Sequence, residues 1–254
     1  DPNAGSFFHS ISIEEIGSFI TAPGHTCPVK SPLVNNPPNI LSTSVSGLYI
    51  PTETPFRLEA SVIDADPGDN LTYSWEQIDP LPGLFPGSVP IPPSSSNLQG
   101  PLFRAFSPSS TSDRYIPNLP DLLAGAATPW EVLPNVPRSL DFRLLVRDNA
   151  SSGGCVDYTD INIMVDPLSG PFEVTSPNTS GVLWTEGSAE TDEWNVAGSN
   201  GPLVACSNVD VLLSTDGGLT YPVTLASGVP NDGTHVISVP NVVTTEARIM
   251  VRCA

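Results

Sequence analysis

Proline and glycine occur so often in this sequence that long helices are excluded. The 254 residues include 29 prolines and 20 glycines. Inside a helix, a proline destabilises by roughly 3 kcal/mol and a glycine by roughly 1 kcal/mol relative to alanine. Only 14% of the residues are charged, compared with about 25% in an ordinary globular domain, so the usual helix-forming surface residues are scarce. The sequence therefore favours many short strands that are joined by rigid turns.

Alternation of apolar and polar residues predicts where these strands lie. Residues 56–62 and 71–77 alternate with a period of two, as half-buried strands do. Further candidate strands are residues 48–50, 140–147, 158–165, 172–175, 193–196, 209–213, 235–239 and 247–251. Short strands at this spacing are typical of β-sandwiches, and the turn-rich residues 166–171 mark a domain boundary. We predict two tandem β-sandwiches, residues 31–168 with a Pro-rich insertion at 78–101, and residues 169–254.

The N-terminal residues have a different pattern. Apolar side chains between residues 7 and 20 recur at roughly helical spacing, and Ser12 and Glu15 have the spacing of a capping box. Pro23 and Gly24 mark the end of this helix. We expect one short amphipathic helix here, and its apolar face needs a packing partner, for which the neighbouring β-domain is one candidate.

The charge balance excludes several classes of partner. Nine basic residues against 27 acidic ones give a net charge of −18, so the chain lacks the basic stripe that nucleic-acid-binding proteins use. The same charge disfavours anionic membrane surfaces. No apolar run approaches the roughly 20 residues that span a bilayer, so we expect neither nucleic-acid binding nor membrane insertion.

The four cysteines indicate an oxidising compartment. Cys27, Cys155, Cys206 and Cys253 lack the close pairing that zinc sites need, and cysteines of this kind form disulfides in secreted proteins. We therefore expect a secreted or cell-surface protein in which Cys206 bonds to Cys253. Cys27 either bonds to Cys155 or both thiols are free.

An acidic loop is the best candidate for a ligand site. Ca²⁺ takes six to eight oxygen ligands from carboxylates and carbonyls, and the loop that follows residue 63 offers three aspartates within six residues. In a sandwich this loop shares one end with the last hairpin, where the incoming linker, with Asn36 and Asn39, also arrives. The candidate calcium ligands are Asp64, Asp66, Asp69, Asp148 and Asn149. The alternative is that the aspartates only cap a solvated turn.

A second motif has a local structural role. Ser214, Asp216, Gly218, Thr220 and Tyr221 match the Asp-box of sialidase and BNR repeats. In this motif the aspartate accepts hydrogen bonds from a tight turn, the glycine supplies an unusual backbone angle, and the aromatic ring packs inward. A glycosidase would need its own pair of positioned carboxylates, so one Asp-box predicts structure rather than catalysis.

Several segments together resemble a known family. They include FHSISIEEIGSFI, DADPGDNLTYSWEQ, DRYIPNLPDLLAG, FRLLVRDNASSGG, WNVAGSN and VDVLLSTDGGLTY. In this order they resemble the C-terminal region of secreted bacterial reprolysin-like (metzincin) zinc metallopeptidases, across nearly the whole chain. The resemblance implies a PKD/immunoglobulin-like sandwich followed by a fibronectin-like one. The fold is thus expected to be all-β, with two tandem immunoglobulin/fibronectin-like β-sandwiches after one short amphipathic helix.

The sequence departs from that family in one decisive respect. The signature His-Glu-x-x-His-x-x-Gly-x-x-His is absent, and His9, His25 and His235 are too far apart to form such a zinc site. The resemblance implies that residues 1–30 are the last helix and tail of a peptidase domain that is missing here, and that zinc belongs only to that domain. It also implies that Cys27 pairs upstream, inside the peptidase domain.

These observations predict a protein segment without catalytic residues of its own. We expect an accessory segment that binds a substrate or surface, or acts as a spacer or scaffold, for a secreted zinc metallopeptidase. Its partners are the preceding peptidase domain and an extracellular protein or polysaccharide. The alternative is a stand-alone adhesion or carbohydrate-binding module. Trp75 and Trp194 are expected in the core, whereas Trp130 and Trp184 are the better candidates for exposed stacking platforms.

Overall fold

The computed structural model describes residues 7–23, 34–80, 92–125, 128–151 and 153–254. Cys27 and residues 81–91 of the predicted Pro-rich insertion lie outside these residues. The described helices are α1 (Ser10–Thr21) and α2 (Leu119–Leu123). The strands are β1 (Asn39–Thr43), β2 (Leu48–Pro51), β3 (Phe56–Leu58), β4 (Ala60–Ile63), β5 (Thr72–Gln77), β6 (Arg114–Ile116), β7 (Ser139–Arg147), β8 (Val156–Asp166), β9 (Glu173–Ser176), β10 (Ala189–Asn195), β11 (Asn208–Ser214), β12 (Val223–Pro230), β13 (Thr234–Ser238) and β14 (Arg248–Cys253).

The first sandwich contains β1 to β8. One layer is a sheet with the strand order β2-β8-β7-β5, in which β2 runs parallel to β8 and the other neighbours are antiparallel. The facing layer consists of the pairs β1-β4 and β3-β6. Leu58, Ile116 and Phe142 are fully buried between the layers. Trp75 is 4% exposed in the same core, which confirms its predicted position.

The second sandwich contains β9 to β14. The sheet β13-β10-β9 faces the sheet β12-β11-β14, and the facing sides enclose Trp194, Val209, Val211 and Val251. Trp194 is 3% exposed, which confirms a second predicted core residue, whereas Trp130 is 45% exposed. These sheets confirm the prediction of an all-β sandwich fold. Neither of the described helices is long and apolar enough to cross a membrane.

The start of α1 differs from the sequence prediction. The predicted capping box is wrong, because Ser12 lies inside the helix and the cap residue, His9, makes no side-chain capping hydrogen bond. The backbone N–H and the hydroxyl of Ser10 instead donate to Glu76 Oε2 on β5, at 3.0 and 2.9 Å. The first N–H groups of a helix lack partners within the helix, so a carboxylate from the sheet supplies the cap.

The same helix contacts the first sandwich through polar side chains. Glu14 pairs with Arg143 on β7, whose guanidinium also binds Asp160 on β8 at 2.6 and 2.8 Å. Leu145, which lies on the same face of β7 as Arg143, is fully buried. The exposed large apolar residues of this segment are Phe8, Ile11, Ile16, Phe19 and Ile20. The amphipathic helix therefore exposes much of its apolar surface, contrary to the interpretation that this surface packs on the β-domain.

The connection between the sandwiches is bonded to both of them. Thr52 donates to the Ser169 carbonyl from its backbone N–H at 2.9 Å and from its hydroxyl at 2.7 Å. The Phe172 N–H donates to the Thr54 hydroxyl at 2.9 Å, and the Gly170 N–H donates to the Ala197 carbonyl of the second sandwich at 2.8 Å. These hydrogen bonds restrict rotation of one sandwich against the other.

A second contact joins the two sandwiches through α2. Leu123, the last residue of α2, accepts a hydrogen bond at its carbonyl from Arg248 on β14 at 3.3 Å. The Leu123 side chain lies so close to Gly218 that a Cβ atom at Gly218 would be 2.4 Å from Leu123 Cδ2. The two sandwiches therefore touch at a second place in addition to the linker.

Candidate metal centre

Three aspartates meet at one end of the first sandwich. Asp64 follows β4, Asp69 precedes β5, and Asp148 follows β7. Because β5 and β7 pair with Thr72 opposite Arg147, the start of one strand and the end of the other lie at the same end of the sheet. One carboxylate oxygen from each of Asp64, Asp69 and Asp148 lies within 4.8 Å of the other two.

Asp148 forms the fixed part of this cluster. It is fully buried, and its Oδ1 accepts hydrogen bonds from the backbone N–H groups of Ala150 and Cys155 at 3.1 and 2.8 Å. Its Oδ2 accepts from Asn35 Nδ2 at 2.6 Å. The backbone of Gly154 passes close to this carboxylate, because a Cβ atom at Gly154 would lie 3.1 Å from Oδ1. The carboxylate is therefore held in one orientation by the hairpin that it starts.

Asp64 and Asp69 have oxygens that need a partner. The Oδ2 atoms of both residues are buried and have no hydrogen-bond partner among the described residues. Burial raises the pKa of the Asp69 carboxyl, and the negative charges of Asp148, Asp64 and Asp66 raise this pKa further. No arginine or lysine of the described residues pairs with the three carboxylates. Like charges at this separation are unfavourable unless a proton or a cation is bound.

The structure does not bring the other two predicted ligands into the cluster. Both oxygens of Asp66 are occupied by Asn36, which donates from its backbone N–H at 2.6 Å and from Nδ2 at 3.1 and 3.2 Å. The side-chain amide of Asn149 donates to the Asn70 carbonyl at 2.6 Å. The geometric cluster is thus Asp64, Asp69 and Asp148, and Asp66 and Asn149 support the loops around it.

The linker that follows α1 reaches this end of the sandwich, as the sequence predicts. Asn36 binds Asp66, whereas Asn39 belongs to β1 and pairs with Ile63. Asn35 was missed by sequence reasoning, although it contacts Asp148 directly. A single asparagine in a linker gives no sequence pattern that predicts its partner. The contact with Asp148 becomes visible only from the path that the linker takes in the fold.

The donor atoms of the cluster select the class of cation. All three candidate ligands are carboxylates, and hard cations such as Ca²⁺ prefer oxygen donors, whereas zinc sites use histidine and cysteine. Further oxygens for a Ca²⁺ ion would come from nearby backbone carbonyls and water. The residues therefore fit calcium better than zinc.

The cysteines of the described residues fall into two states. Cys206 and Cys253 form a disulfide with a Cα–Cα distance of 5.5 Å, as predicted. Among the described residues, Cys155 has no disulfide partner and its sulfur lies 4.0 Å from the Asn35 carbonyl oxygen. Cys27 lies outside the described residues, so its pairing stays a prediction.

The Asp-box residues form a hydrogen-bonded turn after β11. Asp216 accepts from the Ser214 hydroxyl at 2.7 Å and from the Thr220 N–H and hydroxyl at 2.9 and 2.6 Å. Hydrogen bonds lower the pKa of the Asp216 carboxyl to about 2, and the two bonds from Thr220 contribute most to this shift. Gly218 adopts φ +100° and donates to Ser214 Oγ, while burial raises the pKa of the Tyr221 hydroxyl. The motif supports the turn that touches α2.

Comparison with known proteins adds little to this description. No protein-family profile matches the sequence, and no curated protein matches it either. Among solved structures, the chain is similar to fibronectin(III)-like modules of Clostridium thermocellum CbhA, with 13% sequence identity and a TM-score of 0.26. This similarity covers 80% of the chain and 78% of the CbhA structure. The fold assignment therefore rests on the strands and sheets described above.

Proposed function

We propose that this chain is a non-catalytic accessory segment, in which two joined β-sandwiches hold and present a binding surface for a secreted zinc metallopeptidase. The junction between the sandwiches is the observation that carries this proposal. Thr52, Thr54 and Ala197 bond to the linker from both sides, and α2 adds a contact through Arg248. A scaffold needs such fixed geometry, because a flexible linker would lose the orientation of whatever it carries.

Calcium binding at the aspartate cluster is part of the proposal. An ion held by Asp64, Asp69 and Asp148 would relieve the repulsion between their charges and provide the missing partners of the buried oxygens. It would also stabilise the linker after α1, because Asn35 and Asn36 bond to Asp148 and Asp66. Calcium would thereby clamp this linker to the first sandwich. Zinc would not bind in this clamp and would belong to a separate catalytic domain.

The metallopeptidase part of the proposal is supported by the resemblance of the ordered sequence motifs. The Cys206–Cys253 disulfide agrees with a secreted or cell-surface location, since disulfides persist in oxidising compartments. The net charge of −18 suits a soluble protein whose partner is neither nucleic acid nor an anionic membrane.

The natural form of the protein tests the parent assignment. Antibodies against this chain would isolate the species that the source organism secretes, and intact mass and metal analysis would follow. The proposal expects a species larger by a catalytic domain that carries about one catalytic zinc per chain. A zinc-free species of 26.7 kDa would contradict it and favour the alternative, a stand-alone adhesion or carbohydrate-binding module.

A further inference from the structure

A cavity of about 240 Å³ opens on the first sandwich, and none of the three clustered aspartates lines it. It lies between β5, the segment of residues 106–113, and the stretch that joins β6 to α2. Backbone hydrogen bonds between Tyr73 and Ser109, at 2.8 and 2.9 Å, fix this segment against the edge of β5. The cavity is therefore framed by bonded backbone rather than by loose loops.

The walls of the cavity combine rings with hydroxyl groups. Tyr73 and Tyr115 supply phenol rings, Ser107, Ser109 and Thr111 supply hydroxyls, and Asp113 supplies one carboxylate. The Ser109 and Thr111 hydroxyls are 2.9 Å apart and share a hydrogen bond. Burial raises the pKa of Tyr73, so its phenol stays neutral and can both donate and accept a hydrogen bond.

A guanidinium group closes one side of the cavity. The Nη atoms of Arg114 donate to the Arg104 carbonyl at 2.6 Å, to the Trp75 carbonyl and to Glu131 Oε1. Its Nε is buried and has no hydrogen-bond partner among the described residues. The Arg114 side chain is only 11% exposed and Glu131 is 1% exposed. The wall thus contains a charge that Glu131 already neutralises, and the unpartnered Nε is buried beneath the surface of the cavity.

These features select a ligand class by elimination. An anion gains little from Arg114, because Glu131 already balances that charge. A cation would meet the Arg114 guanidinium, which stacks on Phe106 at 5.1 Å. The one carboxylate of the lining, Asp113, already faces Arg57 at 3.7 Å. A purely apolar ligand would bury the hydroxyls of the lining without partners, which is unfavourable. What remains is a neutral ligand with many hydroxyl groups and an apolar face for the rings.

We propose that this cavity binds one sugar residue of a neutral glycan. A cavity of 240 Å³ corresponds to about eight water molecules at 30 Å³ each, which suits a single pyranose with its hydroxyls. The tyrosine rings contact the C–H face of the sugar, and the serine and threonine hydroxyls exchange hydrogen bonds with its hydroxyls. This inference rests on the proposed binding role of the segment and names the ligand class of that role.

The test compares two substitutions in one loop. Ser107 lines the cavity, whereas Ser110 is exposed on the same segment and does not. The full chain and the variants Ser107→Trp and Ser110→Trp would be titrated calorimetrically with xylan, galactomannan and hydroxyethylcellulose, and with polygalacturonate as the anionic comparison. We expect saturable binding to at least one neutral polysaccharide, weakened by about tenfold or more in Ser107→Trp and unchanged in Ser110→Trp.

Each other outcome overturns the inference. Binding that survives in Ser107→Trp places the glycan elsewhere, and a preference for polygalacturonate contradicts a neutral ligand. A wild-type chain that binds none of these polysaccharides removes the glycan assignment. Thermal unfolding of both variants shows that they fold. The mass and zinc content of the secreted species test the accessory role separately, so failure of the glycan site is distinguishable from failure of that role.

Discussion

A Cβ atom at Gly170 would lie 2.1 Å from the carbonyl oxygen of Thr52. Gly170 follows the first sandwich, and Thr52 belongs to the turn that lies beside this linker. Gly170 also adopts φ +108°, a conformation that side chains rarely tolerate. Only glycine allows the backbone of the linker to approach the first sandwich so closely, and this approach holds the two sandwiches together.

Replacing Gly170 with alanine should therefore loosen the junction. Gly181 is a matched control, because it also has positive φ, of +83°, but a Cβ atom there would meet nothing within 4 Å. Gly181→Ala should cost about 1–2 kcal/mol of unfolding free energy from backbone strain alone. Gly170→Ala should cost about 1–3 kcal/mol more, because backbone atoms must move apart. Urea unfolding measures both values, and equal costs would contradict the packed junction.

The buried carboxyl of Asp192 should make the stability of the protein depend on pH in an unusual way. It is fully buried in the second sandwich, and neither carboxylate oxygen has a hydrogen-bond partner among the described residues. Burial raises its pKa to about 6 from an ordinary value of 3.8. Because the folded pKa is the higher one, ionisation favours the unfolded chain, and stability falls as pH rises from about 4 to above 6. The loss amounts to about 3 kcal/mol.

Asp192→Asn should remove this loss. The variant should be more stable than the parent at pH 8. At pH 3, below both the folded and the unfolded pKa of Asp192, its carboxyl is mostly neutral in both states, so the two proteins should be similarly stable. Glu193→Gln is the control, because Glu193 is the adjacent residue of β10 and is exposed. Chemical unfolding across pH measures the difference. A profile of Asp192→Asn that is parallel to the parent profile would refute the role of Asp192.

The Asp-box should have the opposite response to acid. Hydrogen bonds from Thr220 and Ser214 lower the pKa of Asp216 to about 2, so its contribution is present above pH 4 and is lost as pH falls towards 2. Asp216→Ala should lower the melting temperature at pH 7 and remove this acid-dependent loss. Asp232→Ala is the control, because Asp232 is exposed and accepts only a long bond of 3.4 Å from Thr234. Similar acid profiles for both variants would argue against the hydrogen-bonded turn.

The disulfide should stabilise the second sandwich substantially. Cys206 and Cys253 are 47 residues apart, and closing a loop of that length stabilises by about 4 kcal/mol in the chain-entropy model. Reduction, or replacement of both cysteines by alanine, should lower the unfolding free energy by about this amount. A peptide map without reduction checks the pairing. A peptide that links Cys27 to Cys206 would contradict both the pairing and the division into two sandwiches.

Local sequence patterns predicted most of the strands, because alternation directly reflects burial on one face. They failed where another signal interfered. β12 (Val223–Pro230) contains Ser, Gly and Pro, which are typical of turns, and it was missed. In β10 the buried acid Asp192 interrupts the expected alternation, so only the end of that strand was predicted. The strand β6 was missed because three residues are too few to show a period.

The candidate metal centre was predicted in part because strand order determines which loops share an end. Asp64, Asp69 and Asp148 meet as that reasoning expects. The direction of individual side chains is not encoded locally, so Asn149 turns towards Asn70 instead. The prediction of the helix cap was wrong for the same reason, because the capping carboxylate of Glu76 is 66 residues away from Ser10 in the sequence.

Calcium titration of the purified chain tests the proposed clamp most directly. Thermal unfolding would be followed with millimolar Ca²⁺ or with chelator, for the parent, Asp69→Asn and the exposed control Asp232→Asn. We expect Ca²⁺ to raise the melting temperature of the parent and the control by several degrees, with the sub-millimolar to millimolar affinity of extracellular sites. Asp69→Asn should lose this response while its chelated form is at least as stable as the parent, because one repelling charge is removed. No stabilisation of the parent, or an equal response in Asp69→Asn, would contradict the account.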